Sequence, residues 1–432
     1  MFMPHTLYRG DIDGLSFRGI FQNRFKTLRT TVYFLMPMEK EKVAARALVP
    51  CLLCRATRKI PDYTEMGKVL SGLYGATLQA DSGKMGDMQL VSVTVSGLAD
   101  RCTLDHEVIS HQLLSILKDA ILDPPLDETG CFRQEDFLQE QRQMLEQVKA
   151  DYNDKRLWSL RRMQQLMCEG EPYALPRCGS EEDIAALTPE KVTQAWKEML
   201  KTARVEIFSV GDGEPERICQ ALHGLGAIGT GKGPVGSCLH TPRDTVRRVT
   251  ETDQVSQAKM VMGFSTGTPS GCREENYAAK VMCTLFGGSG ASQSRLFRFV
   301  REEMSLCYYC FSRFQNLKGI MTVECGVEPE NLAKAEEAIL QQLKALQQGD
   351  FTEEELWVAK LSLQNMCRTV EDYGGGLENF YMSQIQYEDM HTPREEEQAI
   401  WQVTAEQVQQ AAQRVKLDTV YTLMGGEVHE EN

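Results

Sequence analysis

Basic charge is in short supply in this 432-residue chain. Its 47 lysines and arginines face 61 aspartates and glutamates, a formal net charge of −14. That balance excludes general binding to nucleic acid or to anionic membranes, because both require a basic surface. Long apolar runs are missing too: no stretch of 18 apolar residues occurs, so nothing is expected to span a membrane. The opening residues, MFMPHTLYRGDIDGLSF, lack the basic start and apolar run of a signal peptide, which predicts a cytoplasmic protein. Histidine is scarce. The seven are His5, His106, His111, His223, His240, His391 and His429, and no two stand four apart, so no helix offers paired imidazoles to a metal. His106 and His111 come nearest, but five residues turn a helix by about 140°, and a solvated helix face is the expectation.

Cysteine, by contrast, is plentiful. Fourteen are scattered through the chain, and without secretion signals they are expected as reduced thiols. Two C-x-x-C pairs, Cys51/Cys54 and Cys307/Cys310, could together supply four thiolates to a structural zinc. Each pair encloses bulky apolar residues, Leu-Leu and Tyr-Tyr, where a metal knuckle wants small or flexible ones. Packing as small hydrophobes is the expected role, and no metal is assigned to the chain.

The length exceeds what one core usually supports and predicts two to three domains. Residues 29–37 (RTTVYFLMP) read as a buried strand, and a helical pattern bent or interrupted by Pro50 comes next. Asp62 is a candidate cap for a short helix; residues 76–98 predict two strands around a glycine turn; helices are expected at roughly 104–121 and 132–168. A further helix within 180–200 and a strand ending in FSVGD close this half. The second half repeats the order. An offset of 229 residues pairs Val32 with Val261, Leu35 with Phe264 and Gly97 with Gly326. An offset of 216 pairs the Ile184–Ala195 pattern with Ile400–Ala411. The fold class expected is α+β, as two duplicated units at 1–220 and 246–432 joined by a Gly-rich linker at 221–245. Gly226 to Lys232 fits a phosphate-loop template, but a helical segment precedes it and Gly233-Pro234 comes after it, so it reads as linker.

Residues 287–313 (GGSGASQSRLFRFVREEMSLCYYCFSR) combine a glycine run, a basic amphipathic helix and the start of a strand. Arg301 and Tyr308 stand seven apart, two helical turns if the helix reached Tyr308. A guanidinium and a phenol projected together could clamp an anion or a carbonyl.

This stretch, with its glycine run, Ser-Arg-Leu-Phe and Arg-Glu before Leu-x-Tyr, resembles the insulinase/pitrilysin (inverzincin) metallopeptidases. The strand–helix–IPDYTE–LYGATL order of the first half is similar to that family as well. The resemblance implies two duplicated units, each an antiparallel sheet with helices packed on one face. Active members carry H-x-x-E-H on the helix after the first strand. The resemblance places that motif on Leu48, Cys51 and Leu52, with the further zinc-binding Glu at Gln147. A chain with those side chains binds no zinc, and no catalytic residue is expected on it alone. It resembles the zinc-less subunit of paired bacterial members, some of them associated with elongation factor P modification. The resemblance then implies a heterodimer, with zinc on a partner carrying H-x-x-E-H. A peptide or unfolded polypeptide substrate would be contacted by Arg301, Tyr308 and the glycine run Gly287, Gly288 and Ser289. A structural or peptide-binding scaffold without any peptidase role is the alternative.

Overall fold

The computed structural model describes residues 6–229, 237–288 and 293–426. Residues 230–236 of the expected linker, Lys232 among them, lie outside the described residues, as does Ser289. The chain forms two compact units, and neither is contiguous. The first comprises residues 1–149, 175–236 and 370–386; the second comprises 150–174, 237–369 and 387–432.

The first unit is built on a six-stranded sheet. Its strands are β1 (Thr6–Ile12), β2 (Leu15–Phe21), β3 (Thr27–Pro37), β4 (Thr77–Met85), β5 (Met88–Leu98) and β6 (Arg204–Gly211), in the order β1-β2-β6-β3-β5-β4. The second has a five-stranded sheet of β7 (Arg247–Asp253), β8 (Ala258–Ser265), β9 (Cys307–Gln315), β10 (Ile320–Val327) and β11 (Lys416–Gly425), in the order β7-β11-β8-β10-β9. From β2 and β7 onward the two orders are the same. Each sheet has one parallel pairing, β2 with β6 and β7 with β11, and is otherwise antiparallel. The duplicated α+β architecture read from the sequence is the one observed.

Register corrects the offset between the repeats. Val32 and Phe34 of β3 join Val91, Val93 and Val95 of β5 in the core under the helix Lys40–Leu53. Met262 and Phe264 of β8 join Met321, Val323 and Cys325 of β10 in the core under the helix Arg273–Gly287. Phe34 lies opposite Val91 and Phe264 opposite Met321, so both strand pairs correspond at 230 residues. An offset of 229 would match Leu35 to Phe264 and exchange the two faces of the sheet, since side chains alternate along a strand.

Local chemistry places the helices. Asp62 caps the helix Tyr63–Gly72, accepting from the Glu65 amide at 2.9 Å. Pro50 sits in the last turn of Lys40–Leu53 and does not interrupt it, although its missing amide leaves the Arg46 carbonyl without the usual i→i−4 donor. The expected helix at 132–168 is two, Gln134–Asn153 and Lys155–Met167, divided at Asp154, whose carboxylate accepts from the Leu157 amide at 3.0 Å.

The second of these helices packs in the second unit. Met163, Leu166 and Met167 meet Val261, Tyr421 and Leu423 on the sheet face opposite Arg273–Gly287. Gly263 admits it: a Cβ there would lie 2.6 Å from the sulfurs of both Met163 and Met167. Arg156 adds an ion pair to the buried Glu324 at 2.8 Å. In the first unit, the late helix Gly374–Met382 is held by Glu378, fully buried, which accepts from Arg29 at 2.6 Å and from the Tyr33 hydroxyl.

Candidate functional site

The segment after the helix Arg273–Gly287 is laid down by packing before any ligand is considered. A Cβ on Gly287 would fall 2.6 Å from Leu296 Cδ1 and 3.0 Å from the Ser312 amide nitrogen; one on Gly288 would fall 2.8 Å from Thr284 Cα. Both glycines therefore permit close approach within this unit, and Gly288 bridges in parallel to Ser312 of β9. A π-helix, Leu296–Glu303, comes next. Leu296 and Val300, four apart, are fully buried beneath it. Arg295, buried just ahead of it, donates to Gln342 and Glu355 at 3.0 Å each and ties the π-helix to two long helices.

Arg301 projects from the exposed side of the π-helix, its guanidinium carbon 4.6 Å from the centroid of the Phe297 ring. The helix stops at Glu303, and Ser305 turns the chain with φ +51°. Tyr308 consequently stands on β9, and the two residues are not related by helical turns. Tyr308 is 63% exposed, and its hydroxyl donates to Glu328 Oε1 at 3.0 Å. That hydrogen bond, together with the carboxylate's charge, holds the phenol above its ordinary pKa, so it is a neutral donor at physiological pH. β9 is an edge strand of its sheet. Among the described residues only Gly288, opposite Ser312, pairs with its outer side.

β9 holds a second arrangement. Cys310 lies directly opposite Cys325 of β10, and Tyr309 opposite Gly326, but the next pair is Cys307 with Val327. Tyr308 is the extra residue of a bulge. In a regular strand two cysteines three apart face opposite sides; the bulge restores Cys307 to the face of Cys310. The sulfurs of Cys307, Cys310 and Cys325 all lie within 4.8 Å of one another, buried. Hydrogen bonding with Cys310 and Cys325 pulls the Cys307 thiol down, the charge of Arg301 adds to this, and burial opposes it. Cys325 had no signal in the sequence.

The first unit offers no comparable chemistry on its helix Lys40–Leu53. Leu48 and Leu52 are in the hydrophobic core, at 0% and 3% exposure. Burial, with the Glu140 charge adding, pushes the Cys51 thiol up to about 12, too high for a base near neutrality. Glu140 itself accepts from Arg55 at 2.6 Å, and Arg55 also reaches Asp136 at 2.8 Å. Gln147 lies exposed on Gln134–Asn153. Leucine side chains are hydrocarbon only, so this face does not fit a zinc ion. Cys51 and Cys54 belong to no converging ligand group among the described residues. His106 sits in the loop before the helix Ser110–Leu122 with φ +55°, so it shares no helix face with His111.

A second cluster joins the buried Cys168 and His240 with the half-buried Glu171. His240 hydrogen-bonds Glu171 at 2.6 Å and Asp418 at 3.1 Å, and Lys318 Nζ lies 2.7 Å from Glu171. Burial alone would lower the imidazole, but Asp418, Cys168 and Glu171 outweigh it and raise its pKa to about 11. The ligand atoms are thus engaged with one another, an internal ion network.

A family profile described as Peptidase M16 inactive domain matches residues 186–363. The chain is also 29% identical over 419 residues to the probable inactive metalloprotease YmfF of Bacillus subtilis (strain 168), covering 96% of both. The chain is thus similar to peptidase M16 proteins, to the profile over residues 186–363 and to YmfF along almost its whole length. A solved structure of a conserved protein from Enterococcus faecalis V583 shares its fold with a TM-score of 0.89 at 23% identity, covering 98% of this chain and 100% of that one. A second Bacillus relative, the uncharacterized zinc protease YmxG, is 24% identical over 56% of this chain and 57% of its own length. The profile and YmfF are both described as inactive, and among this chain's described residues no helix is long and apolar enough to cross a membrane.

Proposed function

We propose that this chain is an M16-family protein and the non-catalytic, peptide-binding subunit of a heterodimeric zinc peptidase. The observation that carries the reading is a contrast between the two units. The positions that resemblance assigns to the zinc motif, Leu48 and Leu52, are buried hydrocarbon, whereas Arg301 and Tyr308 are both exposed beside an edge strand. An extended peptide can add to such an edge by main-chain pairing. Tyr308 would then donate to the scissile carbonyl or its oxyanion, Arg301 would hold a carboxylate or carbonyl, and the run Gly287, Gly288 and Ser289 would let the peptide approach. Zinc and the H-x-x-E-H motif would come from the partner subunit. The acidic balance and the reduced cysteines suit a cytoplasmic protein that binds neither nucleic acid nor membrane.

The test is to assay this chain, an M16 partner with H-x-x-E-H from the same cell, and the mixture. Peptide cleavage by the mixture that exceeds the sum of the two chains supports the reading; a partner fully active alone and unaffected by mixing refutes it.

A scaffold without any peptidase role is the second reading. Tyr308 already donates to Glu328 and Arg301 already lies over Phe297, and these local contacts favour it. Stable self-association with no capture of the zinc-motif subunit would decide for it.

A further inference from the structure

We propose that Cys307, Cys310 and Cys325 form a three-sulfur site for a soft, thiophilic cation, with Cu(I) as its occupant. Backbone geometry assembles the three thiols. The bulge at Tyr308 sets Cys307 and Cys310 on one face, and register sets Cys325 across from Cys310. Their sulfurs converge within 4.8 Å. A metal–thiolate bond is about 2.3 Å long. Three such bonds in a trigonal plane put the sulfurs about 4 Å apart, so the site closes on an ion through side-chain adjustments below about 1 Å. Cys307 opens β9 at the sheet edge, next to the exposed residues 301–305, which gives an ion a short path inward.

The donor set selects the ion. Three sulfurs with no oxygen or nitrogen favour a soft cation over magnesium, calcium or manganese. Structural zinc takes four ligands, and the converging group among the described residues offers three. Cu(I) accepts thiolate donors and has no such demand for a fourth. The bonds formed are copper to sulfur; any thiol proton displaced goes to solvent, and no electron is transferred. Among the described residues the C-x-x-C pair at Cys51 and Cys54 belongs to no converging group of three ligands, and it serves as an internal control.

The experiment uses the full-length chain, reduced and kept anaerobic, with Cu(I) titrated against a competing chelator. One equivalent per chain should resist the competitor, and absorption at the copper edge should show three sulfur neighbours. Cys325→Ser should weaken that equivalent at least tenfold. Cys325→Val, which matches the neighbouring Val323 and preserves the apolar core, should do the same with an unchanged melting temperature. The double variant Cys51→Ser/Cys54→Ser should bind as the parent does. Retention of full affinity by Cys325→Val overturns the proposal. So does a parent spectrum with fewer than three sulfurs, or the absence of any competitor-resistant copper. Zinc held more tightly than Cu(I) would refute the choice of ion.

Discussion

Tyr308 donates its hydroxyl proton to the Glu328 carboxylate at 3.0 Å, and both residues are accessible beside the β9 edge. The phenol is thus oriented within its own chain, with its one donor engaged by Glu328. Glu328→Gln removes the charge that raises the phenol's pKa, so the tyrosinate should form at lower pH than in the parent. Absorbance titrations of the parent and of Glu328→Gln, each differenced against its Tyr308→Phe counterpart, measure the effect. An unchanged midpoint would show that the pair does not form in solution.

Arg295 and Arg301 belong to one basic segment but should behave oppositely on truncation. Arg295 is buried and paired with Glu355 and Gln342, so Arg295→Ala leaves the half-buried Glu355 carboxylate with only Arg298 at 3.8 Å and the Thr352 amide, and should cost about 2 kcal/mol. Arg301 is exposed and has an aromatic neighbour, so Arg301→Ala should change stability by less than about 0.5 kcal/mol. Urea unfolding of the two variants separates a structural arginine from one free to act on a ligand.

Leu48 is fully buried in the first unit's core, and Leu48→Ala should cost about 2–5 kcal/mol through lost burial and the cavity left behind. Leu48→His with Leu52→His should also destabilise the chain, since two imidazoles would replace hydrocarbon in that core. Thermal melts with and without zinc check this. A double histidine variant as stable as the parent would show that the helix face tolerates the motif.

His240 makes stability depend on pH. Its pKa in the folded chain is raised to about 11, against about 6.5 for an unperturbed imidazole. A raised folded pKa gives a contribution fully present below about pH 6.5 and lost as pH climbs toward 11. The stability difference between parent and His240→Gln, read from urea midpoints, should therefore shrink steadily across that window. A difference constant from about pH 6 to 10 would contradict the charged network with Glu171 and Asp418.

The duplication and the central strands were legible in the sequence because turn residues and β-branched runs mark them, whereas β1, β2 and β7 were not read. Register was not. β3 and β8 are buried on both faces, so the alternation that would distinguish an offset of 229 from 230 carries no signal. The break at Asp154 was hidden in a polar helical pattern, and nothing local shows that Lys155–Met167 packs on the second unit's sheet. At the candidate site, the residue types of Arg301 and Tyr308 were readable, but their setting was not: the helix ends at Glu303 and a bulge decides where Tyr308 points. Cys325 is fifteen positions from Cys310 and meets it only through the β9–β10 pairing.

Peptide cleavage by this chain mixed with the proposed H-x-x-E-H partner, with the parent compared against Arg301→Ala and Tyr308→Phe, tests the central claim most directly. Each variant is expected to fold and associate as the parent does, yet to lower the mixture's kcat/KM at least tenfold. Parent-level cleavage by both variants would contradict the shared-site reading.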